Sequence, residues 1–311
     1  ASYWWLEPGE RAYVHADQHA IVFARGFDGV ANRVMFSAND GGVHRTDDAR
    51  AAVATDAGAV CDPSNRAFSW RDLNHGLGIT QFYHGAVAAG GTRYLGGTQD
   101  NGTQIGGDGW GSEGWRHILG GDGGYVAFDP RDPDTLYAEW QWFNLSRSDD
   151  GGLTFDDATT GVTDAGTSSF LFIAPFVLDP SNPDRLWAGG RRLWRSDDGA
   201  RRWDAARGLL AGSERVSALA VASGDSDLVL AGTTDGRVYR SEAATSANAA
   251  TVWTASLPRE GFVSWLAFDP SDGQTVYATY AGFGGRHVWR SRDRGASWEA
   301  VDGEGPDRVP D

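Results

Sequence analysis

Three residues able to bind protons or metals alternate near the start of this 311-residue chain: His15, Asp17 and His19. Alternate side chains of an extended segment share one side, so the spacing predicts imidazole and carboxylate ligands converging as a divalent cation requires. A hydrogen-bonded plug that satisfies backbone groups is the other use of the same three residues. Further polar groups follow in Asn39-Asp40-Gly41-Gly42, in Gly96 to Thr103 around Gln99, Asp100 and Asn101, and in Gly120 to Gly124 around Asp122. Gln99, Asp100 and Asn101 supply donors and acceptors beside glycines that leave the backbone exposed, which suits recognition of a polar ligand. Asp-Gly and Asn-Gly are also ordinary tight-turn residues. For glycoside hydrolysis the acids on offer are Asp17, Asp40, Asp100 and Asp122, with Glu139 beside them. That chemistry needs two carboxylates about 5 to 5.5 Å apart for retention, or about 6.5 to 9.5 Å for inversion. Trp4, Trp5, Trp110, Trp140 and Trp142 stand outside any repeat, and such rings stack on sugars or anchor protein partners.

The elements that must position these groups are announced by a repeated loop. Its fullest copy is Ser148-Asp149-Asp150-Gly151-Gly152-Leu153-Thr154-Phe155, with further copies from Ser196 through Asp198 to Trp203 and from Ser291 through Asp293 and Gly295 to Trp298. The Asp carboxylate can accept from the turn's own N–H groups, the glycine takes dihedrals that other residues avoid, and the aromatic anchors the next strand. The loop resembles the Asp box of sialidases and BNR-repeat proteins, where it is structural. Degenerate copies start at Thr46 and Ser241, so first residues fall at 46, 148, 196, 241 and 291. The first interval is two periods, implying a unit without the loop near Gly106. A period of about 45 to 50 residues, each unit readable as four short strands, predicts an all-β chain built as a single β-propeller.

Six blades are expected, at about 12–75, 78–118, 120–162, 165–209, 214–258 and 260–302, within one domain spanning 1–311. Ser2 to Leu6 is left over, either as an extra outer strand or as part of a seventh blade. First strands are expected at 19–24, 81–89, 125–129, 170–179, 216–223 and 262–269. If these run the same way at the centre, blade-to-blade connections and second-to-third turns share one face. That face would gather His15, Asp17, His19, Asp40, Gln99, Asp100, Asn101, Asp122, Trp140 and Trp142 over blades one to three as ligand-binding groups. Nine other tryptophans, Trp115 and Trp265 among them, fall at repeat positions and are expected in the core or as loop anchors.

The order His-x-Asp-x-His, Asn-Asp-Gly-Gly, Asn74-x-Gly76-Leu77, Gln81-Phe82-Tyr83-His84, then the Gly96–Thr103 and Gly120–Gly124 strings, resembles BNR-repeat, glycosyl hydrolase-like propellers. These are related to sialidase, xyloglucanase-type and sortilin-type propellers. The resemblance is close over about residues 13 to 140 and rests on the repeat alone elsewhere. It implies two classes of function. Photosystem assembly factors of the BNR type and sortilin-type receptors use the fold as a platform for other proteins, and this resemblance implies a non-catalytic scaffold, as of a membrane complex of the photosystem type. Xyloglucanase-type enzymes imply a glycan ligand, but place their acids between two propellers. Sialidases use an arginine triad opening with an Arg-Ile-Pro-like motif that is missing here. A single acidic propeller without a complete catalytic signature fits the scaffold class better.

Composition narrows the partners. The net charge of −15 repels a phosphate backbone, so nucleic acid is not an expected partner. The longest apolar run, Phe170 to Leu178, is far short of the roughly 20 residues of a membrane span. All 27 basic residues are arginine, and the lone cysteine, Cys61, allows no disulfide framework. Asp-box propellers are mostly exported, so an extracytoplasmic (periplasmic or secreted) location is expected. Asn101-Gly102-Thr103 and Asn144-Leu145-Ser146 match the glycosylation sequon.

Overall fold

A computed structural model describes residues 6, 9–51, 69–166 and 168–303. Ser2 to Trp5 and Cys61, singled out above, lie outside these residues. Within them the chain is all-β, with six four-stranded antiparallel meanders and no α-helix. Blade one comprises β1 (Gln18–Phe23), β2 (Met35–Asn39), β3 (Gly42–Thr46) and β4 (Arg71–Asp72). Blade two comprises β5 (Phe82–Val87), β6 (Arg93–Thr98), β7 (Gly102–Gly107) and β8 (Arg116–Leu119). Blade three has β9 (Gly123–Phe128), β10 (Leu136–Trp140), β11 (Asn144–Ser148) and β12 (Asp156–Asp157). Blade four has β13 (Phe176–Asp179), β14 (Asn182–Gly189), β15 (Leu193–Ser196) and β16 (Asp204–Arg207). Blade five has β17 (Val216–Ala222), β18 (Asp225–Thr233), β19 (Val238–Glu242) and β20 (Thr254–Ser256). Blade six has β21 (Val263–Asp269), β22 (Asp272–Tyr280), β23 (Val288–Ser291) and β24 (Glu299–Ala300).

These strands fall where the sequence put them, with one clear exception. The first strand of blade four starts at Phe176 rather than Phe170. Pro175 removes a ladder donor, so the apolar stretch before it is loop. That loop still buries Phe170, stacked on Phe143 at 4.8 Å.

The chain divides into two compact units. One holds Ala1–Gln81 with Gln99–Asn101 and Trp110–Gly114; the other holds the remainder, blades two to six. In the larger unit each pair of successive blades encloses its own apolar cluster. Leu95 and Ile105 of blade two meet Val126 and Leu136 of blade three, and Tyr137 and Leu145 meet Leu186 and Trp194 of blade four. Trp187 and Leu193 meet Val229 and Tyr239 of blade five, whose Leu228 and Leu230 meet Val263 and Val276 of blade six. Fully burying a side chain of this size contributes roughly 1.5–3 kcal/mol, so the seams between blades carry the stability.

The repeated loops fasten the third strand of a blade to its fourth. Ser148 Oγ donates to Asp150 (2.7 Å) and accepts from Gly152 N (2.9 Å), while Asp150 accepts from Leu153 N (3.0 Å) and Thr154 N (2.9 Å). Ser291 and Asp293 repeat the pattern toward Gly295 N (2.7 Å) and Ser297 N (2.8 Å). Ser196 and Asp198 do so with Ala200 in the glycine position, at φ 62°. Hydrogen bonding to Thr154 holds the exposed Asp150 carboxyl down at about 2. Trp203 Nε1 then donates to Ala158 O (2.7 Å) and Trp298 Nε1 to Ser256 Oγ (3.0 Å), fixing the aromatic anchors.

At the opposite end of the same sheets, the turns of blades three, five and six are each tied to a connection, the following one in blade three and the preceding one in blades five and six. Trp142 N donates to Phe172 O (2.9 Å), Thr234 N to Arg215 O (3.0 Å) and Ala281 N to Phe262 O (2.9 Å). This connecting end is therefore a fixed rim of loops.

Candidate functional site

The smaller unit gathers three carboxylates. Asp17 immediately precedes β1, Asp40 occupies the turn between β2 and β3, and Asp100 lies in the Gln99–Asn101 turn. One oxygen of each lies within 4.8 Å of the others, the sole group of three metal-capable residues so clustered among the described residues. Asp17 and Asp100 both adopt the left-handed region, at φ 51° and 59°, which Asp tolerates better than most side chains.

The turn bearing Asp40 is braced from several sides. Asn39 Oδ1 accepts from Gly41 N (3.0 Å), Asn74 accepts from Val43 N and donates to Gly41 O (both 2.7 Å), and Asn101 Nδ2 donates to Asp40 O (3.1 Å). Gly41 is required because a Cβ there would lie 2.6 Å from that of His15. His15 Nε2 in turn donates to Asp100 O (2.7 Å), and His19 Nε2 bonds the Asp40 carboxylate. The hydrogen bond and charge of Asp40 raise the His19 pKa.

The metal set expected from alternation, His15 with Asp17 and His19, is therefore not the set that converges. Left-handed backbone at Asp17 breaks the extended geometry on which alternation depends, and sends the two imidazoles elsewhere. His15 is spent on a carbonyl, and His19 sits behind Asp40. What converges is all oxygen, suited to a hard divalent cation.

Asp122, Trp140 and Trp142 belong to the larger unit. Gln141 Nε2 donates to Asp122 (2.5 Å), and Trp142, at φ 62°, packs edge-on to Phe172 at 5.6 Å. Trp140 is exposed. Glu139, considered above as a glycosidase acid, is 0% exposed and accepts from Tyr125 N (3.1 Å) and Ala174 N (2.8 Å). Burial pushes its pKa up to about 8, and the group braces backbone rather than meeting a ligand.

Several glycines of the two Gly-rich strings serve packing, not ligand access. A Cβ on Gly97 would lie 1.9 Å from Gly124 O, and one on Gly123 would lie 2.3 Å from Gly102 O. The sequons are equally engaged. Asn101 Nδ2 holds Asp40 O and Gln99 O, Thr103 is buried, and Asn144 Nδ2 donates to Gln141 O (2.5 Å).

Two clusters in the larger unit were not singled out from sequence. His84, Tyr125 and Trp265, on the first strands of blades two, three and six, form a stack with centroids 4.5 to 6.5 Å apart. Trp265 is 47% exposed, so it is neither core nor loop anchor, and Trp115 is likewise exposed. In blade five, Arg237 bonds Glu214 (2.6 Å) and Asp235, while Tyr239 Oη donates to Glu214 (3.2 Å). Burial and the neighbouring Asp235 raise the Glu214 pKa. The Gln81–His84 string hinted at the first cluster; Thr234-Asp235-Gly236 reads as a plain turn and hid the second.

No family model matches the chain. An oligoxyloglucan reducing-end-specific xyloglucanase from Emericella nidulans is 29% identical over 191 residues, 58% of this chain. The chain spans only 18% of that relative's length. YCF48 from Cyanidioschyzon merolae superposes with a TM-score of 0.52 at 16% identity, covering 92% of this chain and 84% of that one. A GH74 xyloglucanase from Xanthomonas campestris gives 0.53 at 16% identity, covering 94% of this chain and 46% of that one. With six four-stranded meanders these likenesses show the fold, a six-bladed β-propeller resembling the xyloglucanase type.

Proposed function

We propose that this chain is a non-catalytic, extracytoplasmic propeller of the BNR/Asp-box kind that docks another protein, acting as a scaffold in a complex. The observation that carries the reading is the connecting end of the larger unit. There Trp140, at the end of β10, and Phe172, Leu209, Phe262 and Phe283, on loops, all stand exposed in blades three to six. Large apolar groups gathered on one exposed surface mark interaction sites, and loops already tied to one another lose little entropy when they bind. The BNR-type assembly factors make a membrane complex the expected partner. Purification from the native source under mild conditions tests this. A stoichiometric protein partner, lost when Phe262 and Phe283 are both changed to Ala, is the expected result; a chain that elutes alone at every salt concentration overturns it.

A second reading, a glycoside hydrolase or carbohydrate-binding propeller, is favoured by the Asp17, Asp40 and Asp100 cluster together with the 29% identity to a xyloglucanase. Release of reducing ends from xyloglucan oligosaccharides, abolished by Asp100→Asn, would replace the scaffold reading. The same acids make a divalent cation the expected resident, measurable by elemental mass spectrometry of the purified chain.

A further inference from the structure

We propose that β1 of blade one takes a further strand on its open edge, an extended apolar segment of a partner protein that carries arginine or lysine toward its C-terminal end. All the residues involved belong to the smaller unit, so this site goes beyond the docking loops described above and stands without them. β1 pairs with β2 and with no other strand, which leaves one edge of the blade-one sheet open. Ala24 N donates to Val34 O (3.0 Å), continuing the register that sets Val22 opposite Phe36 and Phe23 opposite Met35. Antiparallel ladders alternate, so Val22 and Ala24 turn their N–H and C=O groups toward β2, and Ile21 and Phe23 turn theirs outward. Among the described residues no backbone group of β1 is hydrogen-bonded outside its ladder with β2. A free row of donors and acceptors is a template for an added strand.

First strands elsewhere are sheltered: β9 and β17 bury most of their residues, whereas all six of β1 are exposed. Ile21, Val22 and Phe23 are each more than half exposed. Between Ala20 and Phe23 there is no charge, no proline and no register shift, the devices that keep a free edge unpaired. Ile21 and Phe23 share one face of the strand, and Phe23 rests on Phe27 at 4.4 Å. An incoming strand therefore finds backbone partners along the edge and an apolar shelf beside them.

Charge fixes what the added strand carries. At the start of β1 lie the carboxylates of Asp17, Asp40 and Asp100, mutually within 4.8 Å. Among the described residues Asp17 forms no ion pair and Asp40 pairs with His19 alone. Even with His15 and His19 both protonated, three carboxylates outnumber two imidazolium groups. A segment added in the antiparallel sense, the more stable pairing, brings its C-terminal side to these acids, where a cationic side chain is the complement. A guanidinium and a divalent cation are alternative occupants of the same oxygens, so binding is measured in EDTA.

The test uses the whole chain and a ten-residue peptide that alternates Val with Thr, ends in two arginines and bears an N-terminal fluorophore, in polarisation titrations. Three relatives of that peptide end in two glutamates, carry the arginines at the start, or are N-methylated at every Val and Thr. The arginine-ended peptide is expected to bind at least tenfold more tightly than each relative. Ile21→Pro removes an outward donor that β2 does not use, an exchange an edge strand tolerates, and should weaken binding at least tenfold. Asp40→Asn with Asp100→Asn should weaken it at least fivefold, and Val252→Ala on blade five should change nothing. Any relative that matches the arginine-ended peptide overturns the proposal, as does a failure of all four to bind. Should Ile21→Pro lower the urea midpoint, the N-methylated peptide, which leaves the protein untouched, still decides.

Discussion

Blade one and blade five share strand number, order and hairpin pairing, yet their first strands live in opposite surroundings. Every residue of β1 is exposed, whereas β17 is buried at all but one position. The buried side chains on the described strands of blade one are Ser37, Asn39, His44 and Thr46; those of blade five include Leu228, Val229, Leu230 and Val238. The meander is thus specified within a blade by turns and alternation, while burial is conferred by neighbours. Blade five is a stability element, and blade one spends its interior on hydrogen bonds such as Asn39 to His44 (3.3 Å) that hold an acidic turn in place.

The widest separation between the two should appear on truncation. Leu230→Ala, inside the seam of blades five and six, is expected to cost about 2–5 kcal/mol in urea unfolding. Ile21→Ala on the exposed β1 should change the same midpoint by less than about 0.5 kcal/mol. Equal costs would erase the distinction.

Glu139 sharpens it in the blades that behave like blade five. Glu139→Gln sets an amide N–H against a backbone donor and should cost about 1–3 kcal/mol. Burial keeps Glu139 protonated up to about 8, while the unfolded chain ionises near 4.5. The unfolded state therefore binds fewer protons between those values, and stability falls as pH rises through that window. Unfolding midpoints from pH 4.5 to 8 should slope downward in the native chain, with this contribution missing in Glu139→Gln.

The fastening loops respond with the opposite sign. Asp150 titrates at about 2 when folded and near 3.8 in its ordinary state, so its contribution is full above 3.8 and vanishes as pH drops toward 2. Asp150→Ala should be less stable at neutral pH and show a shallower acid loss in circular dichroism. The smallest effect belongs to blade one. Asp40→Asn should lower the His19 midpoint followed by NMR and leave the fold intact, since the carboxylate is what raises it.

The sequence was most readable where one loop had to repeat. The Ser148, Ser196 and Ser291 copies located the third and fourth strands because their chemistry is local, every donor lying within four residues of its acceptor. The site was less readable because it depends on single dihedrals and on distant packing. Alternation across His15, Asp17 and His19 failed at one left-handed residue, and nothing near Glu139 announces that Ala174 would close over it. Trp265 looked like core because repeat position sets where a residue falls on a strand, not which strand meets solvent. The partners of Glu214, Asp235 and Arg237, lie more than twenty residues along, in another turn of the same blade, and are invisible to any local pattern.

The glycine seam between blades two and three has a mechanical meaning. With Gly97 pressed against the carbonyl of Gly124 and Gly123 against that of Gly102, the two backbones mesh without side chains to act as bearings. Sliding one sheet along the other would drive oxygen into carbon, so this pair moves as a single block. Whatever breathing the five-blade body permits must be taken up at the junctions farther along, where leucine and tryptophan can roll over one another.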